Sequence, residues 1–385
     1  MPSNSILNSE KLSYWEQKSF FKDIDYLIIG AGIVGYSTAI YLREIYPTRK
    51  IIIIERGLLP SGASSKNAGF TCFGSASEIY SDLQKYKEED VWDTIKLRWE
   101  GLCNLRKLIG DKNLKLKSTG SWDLITSKEM KIFENIKKQI PYYNEKLKEI
   151  TNENNTYFID DNVNNEFGFK NIKTSVFNRL EGLIDTSSMN QVFQKKIISK
   201  NISVLFGINA IKIKGKNTIT DQGIITSKNI VICTNGFAKS LISSEDIQPA
   251  RAQVIITKPI ENLKIKGAFH YNEGYYYFRN IDDRILLGGG RNLDIKSETT
   301  TELKNTELII SSLKSLLKNI ILPNTPFEID HQWSGIMGVG KSKKPIIKKI
   351  NNNLYCGIRL GGMGIAIGSL IGKELAHLIK KTGNK

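Results

Sequence analysis

The sequence predicts an α/β chain, α+β overall: a discontinuous Rossmann-like nucleotide-binding domain joined to a second, mostly antiparallel sheet domain. Three observations lead there. A strand–helix–strand unit carrying a glycine fingerprint opens the chain near residues 25–55. A second strand–glycine–helix unit closes it near residues 354–380. Between them, residues 251–290 break into short β-rich runs separated by turns at Glu273-Gly274 and Asp282-Asp283, the pattern of an antiparallel sheet. At 385 residues the chain exceeds one simple core, so two intimately connected domains are expected.

In the opening unit, Tyr26 to Ile29 has no polar face and reads as a buried parallel strand. Gly30, Gly32 and Gly35 follow as G-x-G-x-x-G. The first permits a tight turn, the second lets the backbone approach a pyrophosphate, and the third lets the helix pack close to the strand. The helix starts at about Ile33 and Val34, with its free N–H groups toward the phosphates, and ends by Pro47. Ile51 to Ile54 is the next buried strand. It ends at Glu55, where a ribose hydroxyl needs an acceptor. Strand, glycines, helix, strand and acid arrive in order, which predicts a dinucleotide site.

The small-residue stretch 57–75 is expected to wrap a bound ligand. Helical periodicity covers 76–110, Ser118 to Leu124 reads as a strand, and 127–150 as an amphipathic helix. Asp185 is placed to cap a helix from about Thr186. Ile202 to Phe206, Ile208 to Ile213 and Asn229 to Thr234 read as strands, the last ending in Asn235-Gly236. A helix is expected over 301–319. The closing block is a strand, Leu354–Ile358, a turn with Gly361, Gly362 and Gly364, and an amphipathic helix to Lys380. Residues 1–24 look like an amphipathic lead-in, with Leu12, Trp15 and Phe20 on the first domain. The expected division is 1–95, 176–248 and 328–385 for the nucleotide-binding domain, and 96–175 and 249–327 for the second.

Composition excludes several classes. No apolar run approaches the roughly 20 residues of a bilayer span, and the N-terminus has no signal-peptide core, so a cytoplasmic protein is expected. Four cysteines without C-x-x-C argue against a disulfide framework, and three scattered histidines predict no metal cluster. The formal charge is +16, but only eleven of the 55 basic residues are arginine and the lysines are spread along the chain. Composition bias explains this better than an RNA surface, although tRNA stays in view as an alternative partner. Oligomeric state is not legible.

Taken together, the motifs resemble the FAD-dependent oxidoreductases grouped with D-amino-acid oxidase, glycine oxidase and sarcosine oxidase. The matching blocks are Gly30-Ala31-Gly32-Ile33-Val34-Gly35 with Glu55-Arg56, Ser61 to Gly69 as the flavin-wrapping segment, and Val231 to Gly236. Pro249 to Val254, Asp283 to Gly289, and Gly361-Gly362-Met363-Gly364-Ile365 complete the set. The resemblance implies FAD. Its contacts would fall on Gly30, Gly32, Ile33, Val34, Gly35, Glu55 and Arg56, then Ser64, Ser65, Lys66 and Asn67. Ile208, Thr234, Gly236, Gly361, Gly362, Met363 and Gly364 would supply the rest. No cysteine occurs in Trp333 to Gly338, where covalent members attach the flavin, so non-covalent FAD is expected. Three positions depart from the pattern. Met337 stands about where glycine oxidases carry a carboxylate-binding arginine, Met363 where histidine is common, and Lys343-Lys344 near the usual aspartate.

The resemblance also implies oxidation of the C–N bond of a primary or secondary amine, an amino acid or N-substituted amino acid, with hydride passing to flavin. Two alternatives remain: a tRNA-modifying flavoenzyme acting on a carboxymethylaminomethyl-uridine side chain, and a non-catalytic flavoprotein subunit. Candidate substrate contacts are Tyr275, Arg291 and Arg359. Tyr275 and Tyr277 share a strand face, with Tyr276 on the other. Arg279 is expected at a solvent-exposed strand end, and Lys66 near the flavin. Arg359, between a buried strand and the glycine turn, is the favoured carboxylate anchor, with a structural ion pair as the competing reading.

Overall fold

The structure is a computed structural model and describes residues 12–383. Two mixed sheets organise it. The first runs in the order Ile346–Lys349, Leu354–Ile358, Gly223–Ile232, Ile24–Ile29, Ile51–Glu55, Ser203–Phe206. Its central strands pair in parallel, with Ile28 opposite Ile53 on one side and Val231 on the other. These strands are buried on both faces, which is why they read as unbroken isoleucine-rich runs. The hairpin of Ala210–Lys214 and Asn217–Thr220 extends the strand Gly223–Ile232.

The helix Ile33–Ile45 packs against the closing helix Gly364–Thr382, which also packs on Glu88–Ile109. The opening turn is tight enough that a Cβ on Gly35 would lie 2.0 Å from the Gly30 carbonyl oxygen. That close approach fixes where the helix N-terminus sits.

The second sheet runs Ile329–Val339, Gln248–Thr257, Arg284–Gly289, Tyr276–Ile281, Ala268–Tyr271, Ser121–Thr126, Ile172–Asn178, Tyr157–Asp160. All pairings are antiparallel except Ala268–Tyr271 with Ser121–Thr126. One face buries an aromatic cluster in which Phe269 stacks on Phe278 and on Trp122. The other face turns toward the cavity described below.

Several expectations shift. Ile329–Val339 pairs along the full length of Gln248–Thr257, so it belongs to the second sheet rather than to the nucleotide-binding segment 328–385. The expected break at residue 95 falls inside the continuous helix Glu88–Ile109. The helix expected over 301–319 starts only at Glu307, because Gln253 fastens both the backbone N–H and the hydroxyl of Thr306 in an extended conformation. Ile208 is not in a strand: its N–H donates to the Glu55 carbonyl and its side chain is buried beside the nucleotide strand, and pairing resumes at Ala210. In the lead-in, Leu12 and Phe21 pack under the first sheet while Trp15 is 69% exposed. Residues 1–11 of that lead-in lie outside the described residues. Among the described residues, no helix is long and apolar enough to cross a membrane.

Candidate active site

A cavity of about 920 Å³ lies between the sheets, near the upper end of the roughly 300–1,000 Å³ usual for ligand and cofactor sites. The opening turn forms one end. Glu55 is buried there with both oxygens occupied: Oε2 accepts from the Ala31 N–H at 3.0 Å, and Oε1 from the Gly57 N–H and the Ser61 hydroxyl. The carboxylate thus ties the turn to the wrapping segment while lining the cavity. The Arg56 guanidinium carbon lies over the Phe237 ring, 3.6 Å from its centre. Gly30, Gly32, Ile33, Val34, Ile208, Thr234 and Gly236 line the same end.

The wrapping segment folds as a short helical turn, Ala63–Lys66. Ser64 Oγ accepts the Ile33 N–H at 3.0 Å. Asn67 accepts from Gly69 and Thr186 and donates to Ala63 and Ser64, so it shapes the loop from within. Lys66 lines the cavity, and its carbonyl accepts from the Trp333 indole. Ser65 does not face the cavity: its hydroxyl turns back onto Pro60 and Gly62, and the residue is exposed. Gly35 is not a wall either, being spent on packing beneath Gly30.

At the middle, Gly361, Gly362, Met363 and Gly364 present the start of the closing helix. Among the described residues no side chain caps this N-terminus, which leaves its dipole to meet negative charge. Met337 lies beside Gly362.

The arginines sort differently from expectation. Arg359 lines the cavity, but two of its three nitrogens are engaged away from it. Nη1 reaches Asp246 Oδ2 at 2.7 Å and the Asp246 carbonyl at 2.9 Å, and Nε reaches the Lys344 carbonyl at 3.0 Å. Its left-handed backbone (φ 63°) turns the side chain toward the loop 340–345, and it forms an ion pair with Asp246, the arrangement that competes with the expected anchor. Arg279 is not solvent-exposed. Its Nη1 donates to the carbonyls of Ala68, Gly69 and Ile184, stapling the wrapping segment to the second sheet, and burial pulls its pKa down to about 10. The alternation Tyr275, Tyr277, Arg279 on one face carried that signal. Arg291 keeps an open donor. It lines the cavity, burial lowers its pKa, and its buried Nε has no partner among the described residues.

Tyr277 packs edge-on against Phe70 at 5.7 Å, and burial pushes its phenol up to about 12. Tyr275 is half exposed at the mouth, and Tyr276 points away into the aromatic core, as the alternation predicts. Behind them lies a group that sequence reading missed: His270, Cys72 and the buried Glu181. His270 Nε2 is 3.4 Å from Cys72 Sγ and 3.5 Å from Glu181 Oε2. Burial alone would lower the His270 pKa, but Glu181 outweighs it and raises it. No local pattern joins residues 198 positions apart.

A clamp closes the side wall. Arg98 holds Glu78 through two contacts of 3.1 and 3.3 Å, and Lys343 reaches Glu78 at 2.7 Å and Asp82 at 2.6 Å. Lys344 reaches Asp90 at 2.6 Å. The two lysines that depart from the family pattern therefore fasten the loop 340–345 to the helices below.

The family model for FAD-dependent oxidoreductases of the DAO type matches residues 25–378. The chain belongs to this family. It is 22% identical over 386 residues to the probable oxidoreductase OrdL of Haemophilus influenzae, an alignment covering 92% of this chain and 82% of that one. It is 20% identical to the gamma-glutamylputrescine oxidoreductase of Escherichia coli, covering 92% and 83%. Its fold is similar to that of a glycine oxidase from Bacillus cereus, with a TM-score of 0.73, 17% identity, and coverage of 94% and 99%.

FAD is the cofactor of this family, and the residues fit it. A Cβ on Gly32 would come within 2.9 Å of Ser64 Oγ, narrowing the cradle where a pyrophosphate needs the backbone. Thr234 Oγ1 is buried in the cavity wall with no partner among the described residues. The uncapped closing helix supplies donors at the middle.

Proposed function

We propose that this FAD-dependent oxidoreductase oxidises the C–N bond of an amino acid or N-substituted amino acid whose carboxylate is held by Arg291. One observation carries the reading: a partly desolvated guanidinium in the cavity wall whose Nε has no partner among the described residues. Such a group is costly to leave unmatched, and a carboxylate meets its paired donors in one geometry. The names of similar proteins support the substrate class. Gamma-glutamylputrescine oxidoreductase and glycine oxidase both act on amines that carry a carboxylate elsewhere in the molecule.

Bound FAD supplies the acceptor for a hydride from the carbon next to nitrogen. The chain's own residues supply placement. Arg291 fixes one end of the substrate. Tyr277 keeps its proton at neutral pH and offers a hydrogen-bond donor from the cavity floor. Phe70 and Tyr277, packed edge to face, keep water off that floor, and Tyr275 stands at the mouth. The chemistry needs orientation of the reacting carbon more than an acid–base pair, which suits an aromatic floor with a guanidinium placed to hold a carboxylate.

Arg291→Lys keeps the charge and removes the fork. Flavin content should hold while apparent substrate affinity in anaerobic flavin reduction falls by about 2–3 kcal/mol. Arg359→Lys should leave substrate affinity near wild type, because Arg359 is engaged with Asp246. Wild-type affinity in Arg291→Lys for every carboxylate-bearing amine tested would remove Arg291 from this role.

A further inference from the structure

We propose that Cys72, His270 and Glu181 are the three protein ligands of a zinc-class divalent metal ion whose fourth position opens on the flavin cavity. The three come from separate places: the end of the wrapping segment, the strand Ala268–Tyr271, and the turn after Ile172–Asn178. Their ligand atoms all lie within 4.8 Å of one another.

The two spacings to His270 Nε2 are those of ligands around one ion, and Cys72 Sγ lies within 4.8 Å of Glu181. A tetrahedral zinc at ~2.3 Å from sulfur and ~2.0–2.1 Å from nitrogen and oxygen holds sulfur and nitrogen about 3.5 Å apart, and nitrogen and oxygen about 3.4 Å apart. The observed separations are 3.4 Å for Sγ to Nε2 and 3.5 Å for Nε2 to Oε2. By contrast, a charge-assisted hydrogen bond between imidazolium and carboxylate closes to about 2.7–2.9 Å. Nε2 stands between sulfur and oxygen at equal range rather than committing to the oxygen.

The surroundings are built to hold a metal ligand still. Glu181 is 1% exposed. Its Oε1 accepts the N–H groups of Phe73 and Gly74, and its Oε2 accepts the Ser121 hydroxyl. Carboxylate ligands are commonly oriented in this way by outer hydrogen bonds. Asp123 stands opposite His270 in the strand register, is 3% exposed, and its Oδ1 has no partner among the described residues. A second buried carboxylate beside a ligating histidine is a common companion of such sites.

The nearby cations do not satisfy this group, since Arg98 and Lys343 are paired with Glu78 and Asp82. A divalent ion bound by a thiolate and a carboxylate gives a neutral unit, which suits burial. Thiolate, imidazole and carboxylate together favour zinc over magnesium or calcium. Cys72 and His270 both line the cavity, so a fourth ligand would enter from the substrate side. Binding displaces the Cys72 thiol proton, and any proton carried on His270 Nε2, and releases them to solvent without electron transfer.

The test uses the full-length flavoprotein purified without chelators or a metal-affinity tag. Metal analysis should find about one zinc per flavin. After metal removal, equilibrium dialysis against zinc chloride should restore it. Dialysis against cobalt chloride should give tetrahedral d–d bands to the red of the flavin absorption. Cys72→Ala and His270→Gln should each lower bound metal at least tenfold with the flavin spectrum unchanged. If either variant fails to fold, the wild-type count and the cobalt spectrum still decide. Wild-type protein that carries no metal and takes up neither ion would overturn the proposal, as would full metal retention in Cys72→Ala. Amine-dependent flavin reduction in the same samples reports separately on Arg291.

Discussion

Replacing Glu78 with glutamine removes one charge from the clamp at the cavity wall and almost no volume. The loss falls on Arg98, which is 5% exposed and would keep only the Phe73 carbonyl at 3.0 Å and a weakened contact to the new amide. Removing one partner of a buried ion pair costs about 3–5 kcal/mol. Glu78 is itself partly solvated, with a side-chain exposure of 24%, and Lys343 retains Asp82 at 2.6 Å. The low end applies, about 3 kcal/mol, or roughly a hundredfold in the unfolding equilibrium. Urea unfolding followed by circular dichroism and flavin release measures it. Lys343→Met leaves the Arg98 pair intact but strips the buried Asp82 of its partner, and should cost less than Glu78→Gln.

The pH dependence gives a second check. Burial opposes ionisation of Glu78, but Arg98 and Lys343 outweigh it and hold the carboxyl well below its usual 4.5 in the folded state. A depressed carboxylate contributes stability that is complete above the unfolded value and fades as pH falls below it. The gap between wild type and Glu78→Gln should therefore be constant near neutrality and narrow below about pH 4.5. Equal stability at pH 7, or a gap that acid does not narrow, would refute the clamp.

Three further outcomes follow from the site. Acid precipitation should release the yellow colour into the supernatant, because no cysteine occurs in Trp333 to Gly338; flavin that stays with the denatured chain would contradict this. Glu55→Ala strips the acceptor from the Ala31 and Gly57 N–H groups and from the expected ribose contact, and should cost about 1–3 kcal/mol of FAD affinity. An unchanged dissociation constant by fluorescence titration would sink that assignment. Arg279→Met leaves the Ala68 and Gly69 carbonyls of the wrapping segment, and that of Ile184, without the guanidinium donor and should speed FAD dissociation by about tenfold or more in stopped-flow release, where a wild-type rate counts against the staple.

What could be read from the sequence was local. The strand, turn and helix of residues 24–45 are specified by neighbours a few positions apart, and Leu354–Ile358 begins and ends where its apolar run does. The antiparallel strands of 251–290 were marked by their own turns. Long-range partnership was not legible. Nothing near Arg359 announces Asp246, and nothing near Arg279 announces the carbonyls of Ala68 and Ile184. Yet these contacts decide which arginine is free for a substrate. The sheet membership of Ile329–Val339 depends on Gln248–Thr257, some eighty positions earlier, so neighbouring residues do not announce it. Cys72, Glu181 and His270 looked like scattered single residues because only the fold brings their ligand atoms together.

The most direct test of the central claim is anaerobic titration of the purified yellow protein with a panel of amino acids, N-methyl amino acids, gamma-glutamyl diamines and tRNA, followed by flavin absorbance. The account predicts that at least one small carboxylate-bearing amine bleaches the flavin, that tRNA does not, and that Arg291→Lys shifts the required concentration upward by about thirtyfold or more. Flavin that dithionite reduces but no amine or amino acid does, or bleaching with equal ease by amines lacking a carboxylate, would contradict it.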